Sequence, residues 1–294
     1  MVKLLAALVI MGICSCVTEP LPSGQTISVG TASRGYLHDA VPLADRGIGY
    51  RRLRPGERTQ FGTPTLVGAI ERAAREVANA FPGGYPLRVG DLSHPYGGVH
   101  SRHRTHRAGR DADLLFFARD AGGLAAGSDG FLQFDRFGLA MMGDRVLQLD
   151  EPRNWHLVRA LLLDEQARVK WLFCSNEVKA RLLRYAARHE RSPQAVLRAT
   201  WVLHQPARGD SHDDHFHLRV GCGAAEQSLG CQEQAPHWPW LSDPASKEDI
   251  GAGVVESDAH LLGWLLTEEH ADQRGDVART RLDSAAKPTP IARR

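Results

Sequence analysis

The chain has 294 residues, 43% hydrophobic and 24% charged, enough to bury one large core or two small ones. Lys and Arg number 36 against 34 Asp and Glu, and this net charge of +2 excludes a protein built mainly to grip nucleic acid, which needs a dominant basic field. Eight of the 14 His fall in two windows, residues 94–106 and 204–217, and two of the five Cys lie within the first sixteen residues.

Lys3 precedes an apolar run over 4–14 that is too short to span a bilayer as a mature helix and has the length of a secretory signal. Ile13-Cys14-Ser15-Cys16 places small residues before a Cys, as in a bacterial lipobox. Residues 1–16 are therefore predicted as a lipoprotein-type signal, with Cys16 the lipidated first residue of the mature chain and plain signal cleavage as the alternative. The expected location is periplasmic, with a lipid anchor as the only membrane contact and an environment that permits disulfides. Residues 17–35, rich in Pro, Gly, Ser and Thr, are predicted as a tether, and 36–240 as the folded domain. The basic stretch GIGYRRLRPGER at 47–58 reads as a solvated surface segment, with substrate binding as its rival.

Thr63-Pro64 opens a helix to about Phe81, in which Leu66, Ile70, Ala73, Ala74 and Val77 follow the 3.6-residue period. LRVGDLS begins a strand, and 94–110 is a loop rich in His, Gly and Arg. Strands are expected at 111–118, 168–174 and 213–221, helices at 153–164, 176–191 and 193–205, and a flexible loop at 121–130. Arg153-Asn154-Trp155 reads as a helix start with a packing Trp. Residues 241–294 are predicted as a charged, partly disordered tail with an amphipathic stretch at 257–270. Few strands and separate helices predict an α+β fold, a small antiparallel sheet flanked by helices. Cys222 and Cys231 flank a Gly-containing loop that a disulfide could close, and Cys174, in an apolar run, reads as a buried free thiol.

The chemistry concentrates in the two His windows. In SRHRTHRAGRDADLL, His106 and Asp113 are seven apart, and Gly109 between them lets the loop turn back over the following strand. Asp111 and Asp113 share one face of that strand with Leu115 and Phe117. Two carboxylates there need a metal or another polar partner as compensation. In SHDDHFHLRV, His215 and His217 are an i, i+2 pair on one strand face, with His212 just before them. Two His and one Asp without thiolates suit Zn2+, and three protein ligands leave a fourth position for water, as at a catalytic centre. There is no H-E-x-x-H, so His215, beside His217, is the best candidate for a base.

The spacing H-x6-D followed by H-x-H resembles the group of zinc peptidases that includes lysostaphin, the D-Ala-D-Ala metallopeptidases and hedgehog domains. Within that group, HRTHRAGRDADL and SHDDHFHLRVGC look most like the penicillin-insensitive murein endopeptidases, over roughly residues 35–235. The resemblance implies hydrolysis of D-Ala–meso-diaminopimelate cross-links in peptidoglycan. It implies His106, Asp113 and His217 as zinc ligands and His215 as the catalytic His, acting as base or stabilising the oxyanion. His103 and His212 match further active-site histidines and, with Asp111, are expected to contact substrate or to support the ligands. His94, His100 and His204 match nothing in the pattern and read as loop or surface residues. The expected partner is a peptidoglycan peptide, with no nucleic acid. Two rivals stand beside this reading: a D-Ala-D-Ala carboxypeptidase or dipeptidase of the same group, and a non-catalytic hedgehog-like zinc module.

Overall fold

A computed structural model describes residues 24–241. The leader with Cys16, the first part of the predicted tether, and all but the first residue of the predicted tail lie outside the described residues.

The centre is one seven-stranded sheet. In chain order its strands are β1 (Arg46–Gly47), β2 (Tyr50–Arg52), β3 (Leu87–Val89), β4 (Asp111–Leu115), β5 (Val169–Phe173), β6 (Leu203–His204) and β7 (His215–Val220). In space they run β6-β5-β7-β4-β3-β2-β1. The strands β5, β7, β4 and β3 pair antiparallel, and parallel pairs occur only outside them, between β5 and β6 and between β2 and β3. The α+β class expected from the sequence is the class observed.

The register gives the sheet two faces of opposite chemistry. Asp113 lies opposite His217, Asp111 opposite Arg219, and Leu115 opposite His215. Alternation turns the intervening Ala112, Leu114, Phe216 and Leu218 to the other face, where all four are fully buried. They join one core with Leu66, Ile70 and Ala73 of α1 (Pro64–Ala80). Three more helices complete it: α2 (Glu151–Leu163), α3 (Asn176–His189) and α4 (Pro193–Val202). These four helices start by the same device. The side chain of Thr63, Asp150, Ser175 or Ser192 accepts the amide three residues on, satisfying one of the helix's unpaired donors. Because Asp150 is a cap, α2 begins two residues before the expected 153. Leu203 and His204, expected in the last helix, pair instead with β5.

Three segments depart further from expectation. Residues Ile27–Thr31 and Arg34–His38, which begin inside the predicted 17–35 tether and run past its end, form an antiparallel hairpin. Ile27 is fully buried, and Ser28 Oγ donates to Ala108 O at 2.7 Å, so this stretch belongs to the domain. It is clasped from the other end of the domain, where Gly30 bonds to Gly230 and Gln232. Next to that clasp Cys222 and Cys231 are joined in a disulfide, while Cys174 is free and buried. Secondly, a four-stranded sheet of Ala118–Arg119, Ala125–Ala126, Leu139–Met142 and Arg145–Leu149 takes in the loop expected at 121–130 and a stretch to which the sequence assigned no element. Its outer hairpin leaves Met141 and Val146 exposed, so it lacks the apolar-in, polar-out alternation by which a strand is recognised. Lastly, the basic 47–58 stretch is not simply solvated. Arg52 is buried and pairs with Asp45 at 2.6 Å, and Arg54 reaches the buried Asp91 at 3.3 Å.

Candidate functional site

The polar face of β4 and β7 and the loop before β4 converge on the Asp113 carboxylate. Gly109 takes φ +71 at the turn into β4, and a Cβ there would lie 2.6 Å from Leu37. His106 itself sits at φ +61, a conformation that costs a non-Gly residue about 1 kcal/mol or more and gathers at functional sites. Its ring is fixed from behind: Nδ1 lies 3.1 Å from Leu92 O and donates to it, which aims Nε2 at Asp113 Oδ1, 3.2 Å away; burial disfavours a charge on this ring, but the Asp113 carboxylate overcomes it and raises the pKa. His106 Nε2 and both Asp113 oxygens are buried without a hydrogen-bond partner. The imidazoles of His103, His106, His215 and His217 surround this buried carboxylate, and a cation among these atoms would be held by its charge.

On β7, His217 gives its two nitrogens different tasks. Nε2 is 2.7 Å from Asp111 Oδ1, while Nδ1 faces Asp113 Oδ1 at 3.7 Å. A carboxylate behind an imidazole fixes the tautomer and leaves the other nitrogen free to coordinate. His215 is built in the same way. Its Nδ1 is held by Asp214, and its Nε2 lies 3.4 Å from Asp113 Oδ1. His103 Nε2 stands between Asp91 Oδ2 at 3.0 Å and Asp113 Oδ2 at 3.4 Å. His212, at φ +52, bonds the Asp210 carbonyl and packs its ring 5.1 Å from His215 and 5.5 Å from His217. The residues singled out in the two His windows, His103, His106, Asp111, Asp113, His212, His215 and His217, thus meet at one place.

Three groups there could hold a metal ion, each with ligand atoms within 4.8 Å of one another: His103–His106–Asp113, His212–His215–His217 and Asp91–His100–His103, the first and last sharing His103. The trio expected from the sequence, His106, Asp113 and His217, draws on the first two. Burial, reinforced by His106, pushes the pKa of His217 down to about 3 against the hydrogen bond to Asp111, so this ring is neutral and its lone pair available. Burial also disfavours a charge on His215, but the Asp113 and Asp214 carboxylates overcome it and push the pKa up to about 10. Burial alone would raise Asp111 and Asp113, yet both are held below the usual carboxylate range, by Arg219 and His217 and by His106 and His215 respectively.

Sequence reasoning missed the residues behind this array. Asp91 is fully buried and accepts from Thr59 Oγ1 at 2.8 Å and Arg102 Nε at 2.7 Å as well as meeting His103. Its one signal is an acid at the end of the apolar run LRVGDLS. Asp214 and Arg219 flank the two β7 histidines but carry no spacing of their own. His100, expected as a loop or surface residue, is on a loop yet buried, its ring 4.7 Å from that of His103, and burial takes its pKa down to about 4. His204 is exposed, as expected. Arg153-Asn154-Trp155 is structural: Asn154 bridges both backbone groups of Phe117, and Trp155 is buried, its Nε1 donating to Glu190.

A family model described as penicillin-insensitive murein endopeptidase matches residues 28–247. The chain is 29% identical to the penicillin-insensitive murein endopeptidase of Haemophilus influenzae over 230 residues, 75% of this chain and 72% of that one. It is 28% identical to the protein of that name from Klebsiella pneumoniae, across 76% of this chain and 75% of the other. The one from Pectobacterium atrosepticum is also 28% identical, across 85% and 79%.

Proposed function

The chain belongs to the penicillin-insensitive murein endopeptidase family, and from that premise we propose that it is a zinc-dependent endopeptidase that hydrolyses D-Ala–meso-diaminopimelate cross-links in peptidoglycan. The observation that supports this most strongly is the buried Asp113 carboxylate, both oxygens without a hydrogen bond, facing His106 Nε2 and His217 Nδ1. Such a set of nitrogen and oxygen donors without a thiolate suits zinc.

His106, Asp113 and His217 would hold the ion, with His103 close behind. When bound, zinc acts as a Lewis acid on a peptide carbonyl and lowers the pKa of water toward about 7. Leu92 O and Asp111 keep the His106 and His217 rings in the orientation that presents a lone pair. His215 is the proton-handling group: Asp214 holds Nδ1, and Nε2 points into the site. With the Asp113 charge engaged by a bound ion, His215 would lose part of what keeps it protonated, and its Nε2 would take a proton from the attacking water and return it to the departing amine. As an imidazolium beside the tetrahedral oxyanion it also contributes transition-state stabilisation of several kcal/mol. The leader supports export, with Cys16 as a lipid anchor placing the domain beside the polymer it cuts.

Digestion of purified murein, with the released muropeptides identified by mass spectrometry, tests the reading. Loss of cross-linked dimers, abolished by a chelator and restored by zinc, is the expected result. Release of terminal D-Ala alone would make the enzyme a carboxypeptidase. Full activity of the metal-free protein would sink the mechanism.

A further inference from the structure

Arg219 lies on β7 two residues beyond His217 and on the same face. Its neighbours across the sheet are Trp171 on β5 and Asp111 on β4. The guanidinium is held at one end: Nε donates to Asp111 Oδ1 at 2.7 Å, and Cζ sits 5.3 Å from the centre of the Phe173 ring. A guanidinium serving Asp111 alone would grip both carboxylate oxygens with its fork. Here Asp111 Oδ2 is buried without a hydrogen bond, and among the described residues neither Nη of Arg219 has a partner.

The side chain of Arg219 is 19% exposed and lines an open cleft with Trp171, Arg110, Lys170 and Glu233. The carboxylates there are already engaged. Glu233 meets Arg110 at 2.9 Å and Lys170 at 2.6 Å, and Asp111 is shared with His217. An incoming anion therefore finds an unsatisfied, pre-ordered fork beside an aromatic wall. Two residues of strand separate Arg219 from His217 by about 7 Å, the length of roughly two extended substrate residues.

We propose that Arg219 is a specificity-determining residue that binds a free carboxylate of the substrate within about two residues of the scissile bond. This rests on the murein reading above. Cross-linked stem peptides offer two such groups, the free carboxylate of a diaminopimelate residue and the α-carboxylate of a terminal D-Ala. Both present the same planar anion to the fork.

The test uses the zinc-loaded full chain and three forms of one muropeptide dimer: all carboxylates free, the diaminopimelate carboxamide, and the C-terminal carboxamide. For the unaltered enzyme, kcat/KM is expected to fall at least about tenfold on one of the amides, mainly through KM, as a charge-assisted pair of hydrogen bonds is lost. Which amide fails identifies the source of the carboxylate. Arg219→Gln is expected to lose the same factor on the free substrate and to stop distinguishing it from that amide. Equal rates of the unaltered enzyme on all three substrates would overturn the proposal, whether or not the variant folds. So would an Arg219→Gln enzyme slowed equally on free and amidated substrates, the signature of a role exerted only through Asp111 and His217. Cleavage of none of the three by the unaltered enzyme would overturn the murein reading and this inference with it.

Discussion

Three histidines at the centre, His106, His215 and His217, have the second nitrogen occupied. Leu92 O holds His106, Asp111 holds His217, and Asp214 holds His215. The sequence shows which side chains carry the chemistry but not what orients them, because the orienting groups come from other segments or from the backbone. Asp111 is the exception, legible as a second carboxylate on the Asp113 face. Its role can be tested apart from the ligands. Asp111→Asn keeps the shape and an acceptor for His217 Nε2–H while removing the charge that raises the ring's basicity. Zinc affinity, measured by competition with a chelator, should fall about 10- to 100-fold. An unchanged affinity would make Asp111 merely a partner of Arg219.

At the scale of elements, the helices were readable because their signals are local. Thr63-Pro64, Ser175 and Ser192 sit at their starts as small polar caps or turn residues, and the 3.6-residue period marks the buried side of α1. The strands of the site were readable from alternation, since β4 and β7 each bury one apolar face. The sheet of residues 118–149 was not, because two of its four strands are only two residues long and its outer hairpin exposes apolar side chains on one face. Asn154 shows how that sheet is tied to the helices. From the first turn of α2 it accepts from Phe117 N at 3.0 Å and donates to Phe117 O at 2.8 Å, with all these groups buried. Asn154→Ala strands two backbone groups in the interior, and urea unfolding should show a loss of about 3 kcal/mol. The folded fraction should keep its zinc affinity; a loss of affinity with unchanged stability would contradict this structural role.

Across the whole molecule, the site exists only because distant stretches close on one another. His106 comes from a loop near the middle of the chain and His217 from the last strand of the central sheet, and the register of β4 against β7 sets Asp113 opposite His217. The N-terminal hairpin, read from composition as tether, is bound to the segment around Gly230 and Gln232 and supports the same loop through Ser28 and Ala108. Composition could not reveal this, since Gly, Ser and Thr suit a tight hairpin as well as a flexible linker. In the proposed reading this closure builds a metal centre whose ligands are distinct from its proton-handling group. The most direct measurement is zinc content and murein digestion of His217→Ala and His215→Ala side by side. His217→Ala should lose zinc and turnover together, and His215→Ala should keep zinc while losing turnover. Zinc retained without His217, or lost without His215, would contradict the account.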